Sequence, residues 1–286
     1  MVAESLTANA GVEETEIVVI KTMGDQVLDR ALSEVGGKGL FTKEIEAALL
    51  EGAVDCAVHS GKDLETILPE GTTLGAFLPR EDVRDVFIGR GGMRLADLAE
   101  GALVGTASLR RQALVRRARP DLRVGILRGN VQTRLRKLEE GECDATLLAL
   151  AGLNRLGMAH VATEILDVER FLPACAQGAV AVQIRRSDDR MIEACAKIGH
   201  HETERAVAAE RGFLAALDGS CRTPIAGYAR IEGGDVVLDG LVATGSGSRV
   251  EEVSGRGAVG EAAEMGYDAG RRLRARIGEH FFTETA

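Results

Sequence analysis

Hydrophobic and polar positions along the chain follow two periods. Short apolar runs bounded by Gly, Pro or polar clusters read as strands, and apolar residues three or four apart read as helices. On that basis ETEIVVIKT predicts a strand with a buried run. FTKEIEAALLEGA (41–53) predicts a helix with Phe41, Ile45 and Leu49 on its core face, joined by Ala48. CAVHS (56–60) predicts a short strand ending in the polar loop SGKDLETILPEG, and TLGAFL and DVFIG predict two more. LVGT, SLRRQALVRRA, RVGIL, NVQTRLRKLEEGE, DATLLAL and AGLNRLGM then alternate strand with helix, which predicts parallel sheets joined by crossover helices. Beyond PACAQGAVAVQIRR (173–186) lies a long helix, ETERAVAAERGFLAAL (202–217). TPIAGYARI, DVVLDGLVA and SRVEEVSG predict an antiparallel meander, and AVGEAAEMGYDAGRRLRARIGEHF closes as a helix. The pattern is that of two α/β units followed by a small α+β unit. Ligands of open α/β sheets sit beyond the carboxyl ends of the strands, so HSGKD, GTASLRR and LRGN are where function is sought.

Composition narrows the partners. The 286 residues suffice for two or three hydrophobic cores. A net charge of −9, aromatics at 3% and no Trp argue against nucleic acid. No apolar run approaches the roughly 20 residues that cross a bilayer. MVAESLTANAGVEETE lacks the basic and apolar regions of a signal peptide. No membrane is expected, and a reducing cytoplasm is the expected location. Cys56, Cys143, Cys175, Cys195 and Cys221 form no CxxC pair, so neither a zinc site nor a disulfide framework is indicated, and no metal is expected.

Three constellations carry chemistry. Nine arginines lie between positions 110 and 136, against one acid, Asp121. Arg116, Arg117 and Arg119 read as a solvated helix face. Arg110, Arg111 and Arg128 instead follow strands near helix starts, where guanidinium forks and helix N-termini favour carboxylate or phosphate. The indicated ligand is a small polyanion. In HSGKD, Asp63 beside Lys62 reads equally as a turn with a solvated lysine or as an acid/base carboxylate able to face a developing cation. In GSCRTPIAG (219–227), Arg222 beside Cys221 favours the thiolate. The other four cysteines lie in apolar patterns and read as structural.

These pieces occur together and in order. GGKGLFTKEIE, AVHSGKD, LPREDVRDVF, VGTASLRRQ, PDLRV, LRGNVQTRLRKL, ALAGLNRLG, LPACAQGAVAVQIR, HHETERAVAAER and GSCRTPIAGY resemble the porphobilinogen deaminase (hydroxymethylbilane synthase) family over most of the chain. The resemblance implies two lobes like type II periplasmic binding proteins and a small C-terminal α+β domain. It places domain 1 at 1–78 with 177–199, domain 2 at 82–174 and domain 3 at 202–286. It implies a transferase that adds four porphobilinogen units, with loss of ammonia, to a dipyrromethane cofactor bound through a thioether to Cys221, and then releases hydroxymethylbilane. Asp63 matches the family's catalytic aspartate, which protonates the leaving amine, stabilises cationic pyrrole character and assists deprotonation of an electron-poor azafulvene adduct. Held among arginines, it is expected to stay ionised at rest. Arg110, Arg111, Arg128, Arg134 and Arg155 match carboxylate-binding arginines, with Arg110 and Arg155 on the substrate side. Lys38, Ser60, Lys62, Thr106, Ser108 and Gly129 match further cofactor contacts. The resemblance also implies a cytoplasmic monomer and a hand-over of product to uroporphyrinogen-III synthase.

The chain departs from the family in places. The family's first strand and part of its first helix have no counterpart, and MVAESL resembles the middle of that helix. About 15–20 residues are expected to be missing, which would leave an exposed sheet edge in domain 1. A start assigned to an internal Met and a shortened, inactive form both fit. Glu65 stands where proline is common, and CAQG stands where GQG is usual, so Ala176 is tolerable only with a negative φ. Two other readings remain: a two-lobed polycarboxylate binder without catalysis, and a cysteine hydrolase pairing Cys221 with His200 or His201. In the second, no Asn or Asp orienter is evident, and HHETERAVAAER reads better as a helix start.

Overall fold

The computed structural model describes residues 1–26, 39–219, 223–278 and 281–283. Three sheets organise them. The first has the order β1 (Cys56–Ser60), β8 (Val180–Arg185), β2 (Thr72–Phe77). Its central strand comes from more than 100 residues beyond the other two and runs antiparallel to both, pairing Ser60 with Val180 and Phe77 with Ala181. Helices α1 (Val2–Ala10) and α7 (Asp189–Ile198) cover one face, where Val2 and Leu6 meet Met191, Ala194, Cys195 and Ile198 in one buried cluster. Two further helices, α2 (Met23–Gln26) and α3 (Lys43–Leu50), precede β1.

The second sheet has the order β5 (Arg123–Gly125), β4 (Leu103–Gly105), β6 (Ala145–Ala149), β3 (Asp85–Gly89), β7 (Glu164–Ile165). The expected alternation holds here as α4 (Leu109–Ala118), α5 (Val131–Glu139) and α6 (Leu150–Arg155). The expected all-parallel pairing does not. Only β4–β5 and β4–β6 are parallel, because β3 and β7 enter the sheet against the direction of β6 and β3 respectively. The third sheet is the expected meander, β9 (Ile225–Glu232), β10 (Asp235–Ala243) and β11 (Val250–Ala258). It is backed by α8 (His201–Ala216) and α9 (Ala262–Ile277), which cross so closely that a Cβ on Gly266 would stand 1.9 Å from Ala209 O. Ala226, Leu241 and Ala243 of the third sheet share a core with Phe87, Leu114 and Leu147 of the second unit.

Four expectations change. ETEIVVIKT forms no strand: residues 11–22 have no regular structure, and Ile17 and Val19 are 78% and 84% exposed. A strand needs a ladder partner as well as β-forming residues, and among the described residues β1 pairs only with β8. The buried face of α3 is not the Phe41–Ile45 stripe but Thr42, Glu46 and Leu49, because Glu46 is drawn inward by Thr42 Oγ1 and Gln183 Nε2. Arg116, Arg117 and Arg119 lie at the surface as read, with Arg117 exposed, but their guanidinium groups are engaged by protein partners. Arg116 donates to Gly245 O, Arg117 pairs with Glu252 at 2.7 Å, and Arg119 holds Asp121 and the carbonyls of Leu95, Ala96 and Leu98. Finally, Ala176 has φ 59, in the left-handed region. It stays there because its N–H is captured by buried Glu210, so packing overrides the backbone preference.

Candidate active site

The turn after β1 begins the site. Ser60 ends the strand, and one 3-10 turn (Gly61–Asp63) carries Lys62 and Asp63. Lys62 Nζ reaches Gln177 Oε1 at 3.5 Å. Gln177, buried in the turn that leads into β8, donates from Nε2 to Val83 O at 2.7 Å and to Asp85 Oδ1 at 2.9 Å. Asp85, fully buried at the start of β3, pairs with Arg111 at 2.7 Å and Arg110 at 2.8 Å. The Lys62 turn of the first sheet is thus joined through two polar side chains to the arginines of the second.

The sequence around β4 explains how those arginines are aimed. Thr106 follows the strand, donates its N–H to Gly125 O, and accepts Ser108 N on its hydroxyl. Ser108 then caps α4 by accepting the N–H of Arg111, the side-chain role that favours serine at a helix start. Arg110 and Arg111 therefore lie in the first turn of α4 and enter the core, where they also donate to Leu172 O and Leu147 O. The Nε of each has no hydrogen-bond partner in the protein. Beyond β5, Gly129 has φ +124, and a Cβ there would strike Thr133 at 2.6 Å. Only glycine fits this backbone. It lets Asn130 cap α5 and lets Arg134 Nε donate to Gly129 O at 2.7 Å. Arg128 is buried and donates to Gly24 O at 3.3 Å. Arg155, at the end of α6, donates to Gly178 O at 2.7 Å.

The electrostatics show that the groups share one field. Burial lowers Lys62 to about 8, opposed by Asp63 and Asp85 and reinforced by Arg111 and Arg110. Burial and the charges of Arg111 and Arg128 lower Arg134 to about 10, against the pull of Asp63. Burial would raise Asp85, but Arg110 and Arg111 outweigh it and hold the carboxyl far below its usual range. Asp63 goes the other way. Solvent reaches its carboxylate, yet enough protein surrounds it that desolvation raises its pKa despite Lys62, Arg134, His59 and Arg111. The arginines alone would have pushed it down, as expected from the sequence; the recessed setting reverses the sign.

The structure brings together Lys62, Asp63, Arg110, Arg111 and Arg134. Thr106, Ser108 and Gly129 act as backbone supports of this cluster, and Ser60 is the last residue of the strand that leads into it. Lys38 and Cys221 lie outside the described residues, but their flanks meet the same loop. Gly39 N donates to Glu65 Oε1 at 2.6 Å, and Thr66 Oγ1 donates to Gly219 O at 3.0 Å. Arg211 of α8 binds the carbonyls of Glu65 and Thr66. His200 Nδ1 caps α8 by accepting Thr203 N, the helix start read from the sequence. The other four cysteines are buried or half-buried, and desolvation raises each thiol. Sequence reasoning missed Asp85, Gln177 and the Arg80–Glu210 pair. Arg80 binds both Glu210 oxygens, at 2.7 and 3.1 Å, and the same carboxylate accepts Ala176 N and Ala229 N. An acid opening the otherwise apolar strand DVFIG was the available signal for Asp85.

A dipyrromethane fits this chemistry. Its acetate and propionate groups make it a polyanion, and the site offers clustered cations with two buried guanidinium Nε–H groups that no protein atom accepts. Two family models match, the porphobilinogen deaminase dipyromethane cofactor binding domain over residues 1–193 and the porphobilinogen deaminase C-terminal domain over residues 204–275. The porphobilinogen deaminases of Nitrobacter hamburgensis and Nitrobacter winogradskyi are each 58% identical over 271 residues, covering 95% of this chain and 86% of theirs. Among solved structures, the substrate binding protein of an amino acid ABC transporter overlaps 69% of this chain and 77% of its own at 17% identity and TM-score 0.38. By sequence across both matched regions, the chain belongs to the porphobilinogen deaminase family.

Proposed function

We propose that Asp63 is the catalytic carboxylate of a hydroxymethylbilane synthase and that Lys62, Arg110, Arg111, Arg128, Arg134 and Arg155 hold the carboxylates of the growing chain. The enzyme is a transferase of tetrapyrrole biosynthesis: it joins porphobilinogen units and releases hydroxymethylbilane, with a dipyrromethane cofactor. The observation that carries the residue roles is the convergence of the Lys62–Asp63 turn on the arginines through Gln177 and Asp85.

When bound, the dipyrromethane supplies the pyrrole terminus that is extended. The protein's own groups do the rest. The reaction breaks the carbon–nitrogen bond of an aminomethyl group, and the electron pair leaves with the nitrogen. Asp63 holds the proton that this nitrogen takes, and its raised proton affinity suits that acid role better than an ordinary aspartate would. Once ionised, it faces the cationic carbon left behind and then accepts the proton lost from the pyrrole. Lys62, only partly protonated near pH 8, neutralises the carboxylate between turnovers. The arginines bind, orient and keep the substituents apart through bidentate contacts. Thr106, Ser108, Gly129, Ser60 and Lys38 belong to the same binding surface in this reading, with Cys221 as the anchor.

The domain boundaries follow the same reading, with 1–78 and 177–199 around the first sheet, 82–174 around the second and 202–286 around the third. A cytoplasmic, monomeric enzyme handing its product to uroporphyrinogen-III synthase completes it. Intact-mass measurement tests the anchor. A two-pyrrole addition is expected, lost in Cys221→Ser, and an unmodified wild-type mass with no coloured adduct in Ehrlich's reagent would favour the non-catalytic binder. Asp63→Glu is expected to lose most turnover while retaining the added mass; unchanged turnover refutes the role of Asp63.

A further inference from the structure

The end of α8 sets the course of the chain toward Cys221. Asp218 has φ 49, and a residue in this left-handed region stops the helix. Its N–H donates to Ala215 O at 3.3 Å, and the N–H of Gly219 donates to Leu214 O at 2.9 Å. This pair of bonds is the Schellman closure, whose left-handed position is usually glycine. Here it is an aspartate that Arg274 of α9 holds, binding its carboxylate and donating to Ala216 O at 3.2 Å. Gly219 has no room for a side chain, since a Cβ would stand 2.7 Å from Ile225 Cδ1 and 3.0 Å from Leu214 Cδ2. The Gly219 carbonyl is the next fixed point, and it accepts Thr66 Oγ1 at 3.0 Å. Thr66 is itself held from behind, because Arg211 of α8 donates to its carbonyl and to that of Glu65, both at 2.9 Å. On the far side of Cys221, Pro224 O accepts Ala243 N at 3.0 Å. Two residues of chain reach at most about 7 Å, so Cys221 is tethered close to a carbonyl that Thr66 grips. Thr66 stands three positions after Asp63.

We propose that Thr66 is a positioning residue for the anchor: by gripping the Gly219 carbonyl, its hydroxyl sets the spacing between Cys221 and Asp63. This rests on the reading of Cys221 as anchor and Asp63 as acid given above. The hydroxyl reaches backbone and not the arginine cluster, so its loss leaves the grip on carboxylates intact. What changes is how much of the time the anchor segment sits in register with the acid. An ordinary hydrogen bond biases such an arrangement about fivefold. Serine keeps the donor, and valine keeps the shape without it.

The test has two arms, run on the full chain. Hydrogen exchange followed by mass spectrometry reads the contact without any turnover. In Thr66→Val the peptide from Phe213 to Gly219 is expected to exchange about fivefold faster than in wild type, while Thr66→Ser stays close to wild type. Steady-state kinetics read the consequence. In Thr66→Val kcat is expected to fall about fivefold with KM unchanged within about twofold, and Thr66→Ser is expected to restore kcat. Unchanged exchange, an unchanged kcat, or a Thr66→Ser variant as impaired as Thr66→Val overturns the proposal. If Thr66→Val fails to fold, Thr66→Ala takes its place in both arms. Intact mass of Cys221→Ser separates the two readings. Should the two-pyrrole addition persist in that variant, the anchor reading fails and the role of Thr66 falls with it. Should the addition be lost while Thr66→Val turns over like wild type, the anchor stands and the positioning role alone is refuted.

Discussion

Asp85→Asn removes one negative charge from the buried ion cluster of the second unit, to which Gln177 links the Lys62 turn of the first sheet, and keeps the shape. The carboxylate is 0% exposed and lies 2.7 and 2.8 Å from two guanidinium groups that are themselves almost wholly buried. At an effective dielectric near 20, each such pair is worth about 4 kcal/mol of attraction. Desolvation offsets much of this while the cluster is intact, so its net contribution is modest. The amide leaves two adjacent buried cations without a counter-charge, and breaking a buried pair this way costs about 3–5 kcal/mol. At about 2–4 °C per kcal/mol, the melting temperature should fall by roughly 10 °C. The pH dependence is specific. Asp85 titrates far below an unfolded aspartate, so its stabilisation is fully present above the unfolded pKa of about 4 and is lost only as pH falls through the folded value. Scanning calorimetry of both proteins should show a constant gap from pH 5 to 8 that closes below about pH 4. A variant melting within about 1 °C of wild type at pH 7, or a gap that varies between pH 5 and 8, would show that Asp85 does not neutralise the arginines.

Two further outcomes follow from groups held against their preferences. Ala176→Gly relieves a left-handed alanine, worth about 1–2 kcal/mol, against about 0.4–1 kcal/mol for the freer unfolded chain. Urea midpoints should show it slightly more stable than wild type and Ala176→Val lower by about 2 kcal/mol or more; a less stable glycine variant contradicts the strain. Lys62→Met should melt higher than wild type at pH 7 and lose turnover. With the lysine at about 8 in the fold against 10.5 unfolded, the penalty is full below pH 8 and fades as pH rises toward 10.5, so a variant that is less stable at pH 7, or a gap persisting above pH 10.5, sinks the argument.

The sequence revealed local order more readily than pairing. Ser108 and Asn130 were readable as helix starts because capping is a local event. The meander after Thr223 was readable because its strands are consecutive in sequence. ETEIVVIKT was not, because composition alone supplies no neighbour for its backbone. Nor was the direction of β8, which returns to the first sheet after the whole second unit. At the site, Lys62, Asp63 and the arginines were legible as charges after strands. What holds them was not. Asp85 reaches Gln177 across 92 positions and Arg80 reaches Glu210 across 130, distances over which no periodicity carries information. The raised proton affinity of Asp63 depends on how much folded protein surrounds an exposed turn, which no list of neighbours in sequence reveals.

Thr66 and Arg211 tie the loop beyond Asp63 to the carbonyl of Gly219 and to α8, and Gly219 stands two positions before Cys221. The loop of the proposed acid and the residue two positions before the proposed anchor therefore share one frame of reference. On the proposed roles, a polymer rooted in that frame would lengthen beside it, and the arginines of the second unit rather than the loop would have to accommodate each added carboxylate.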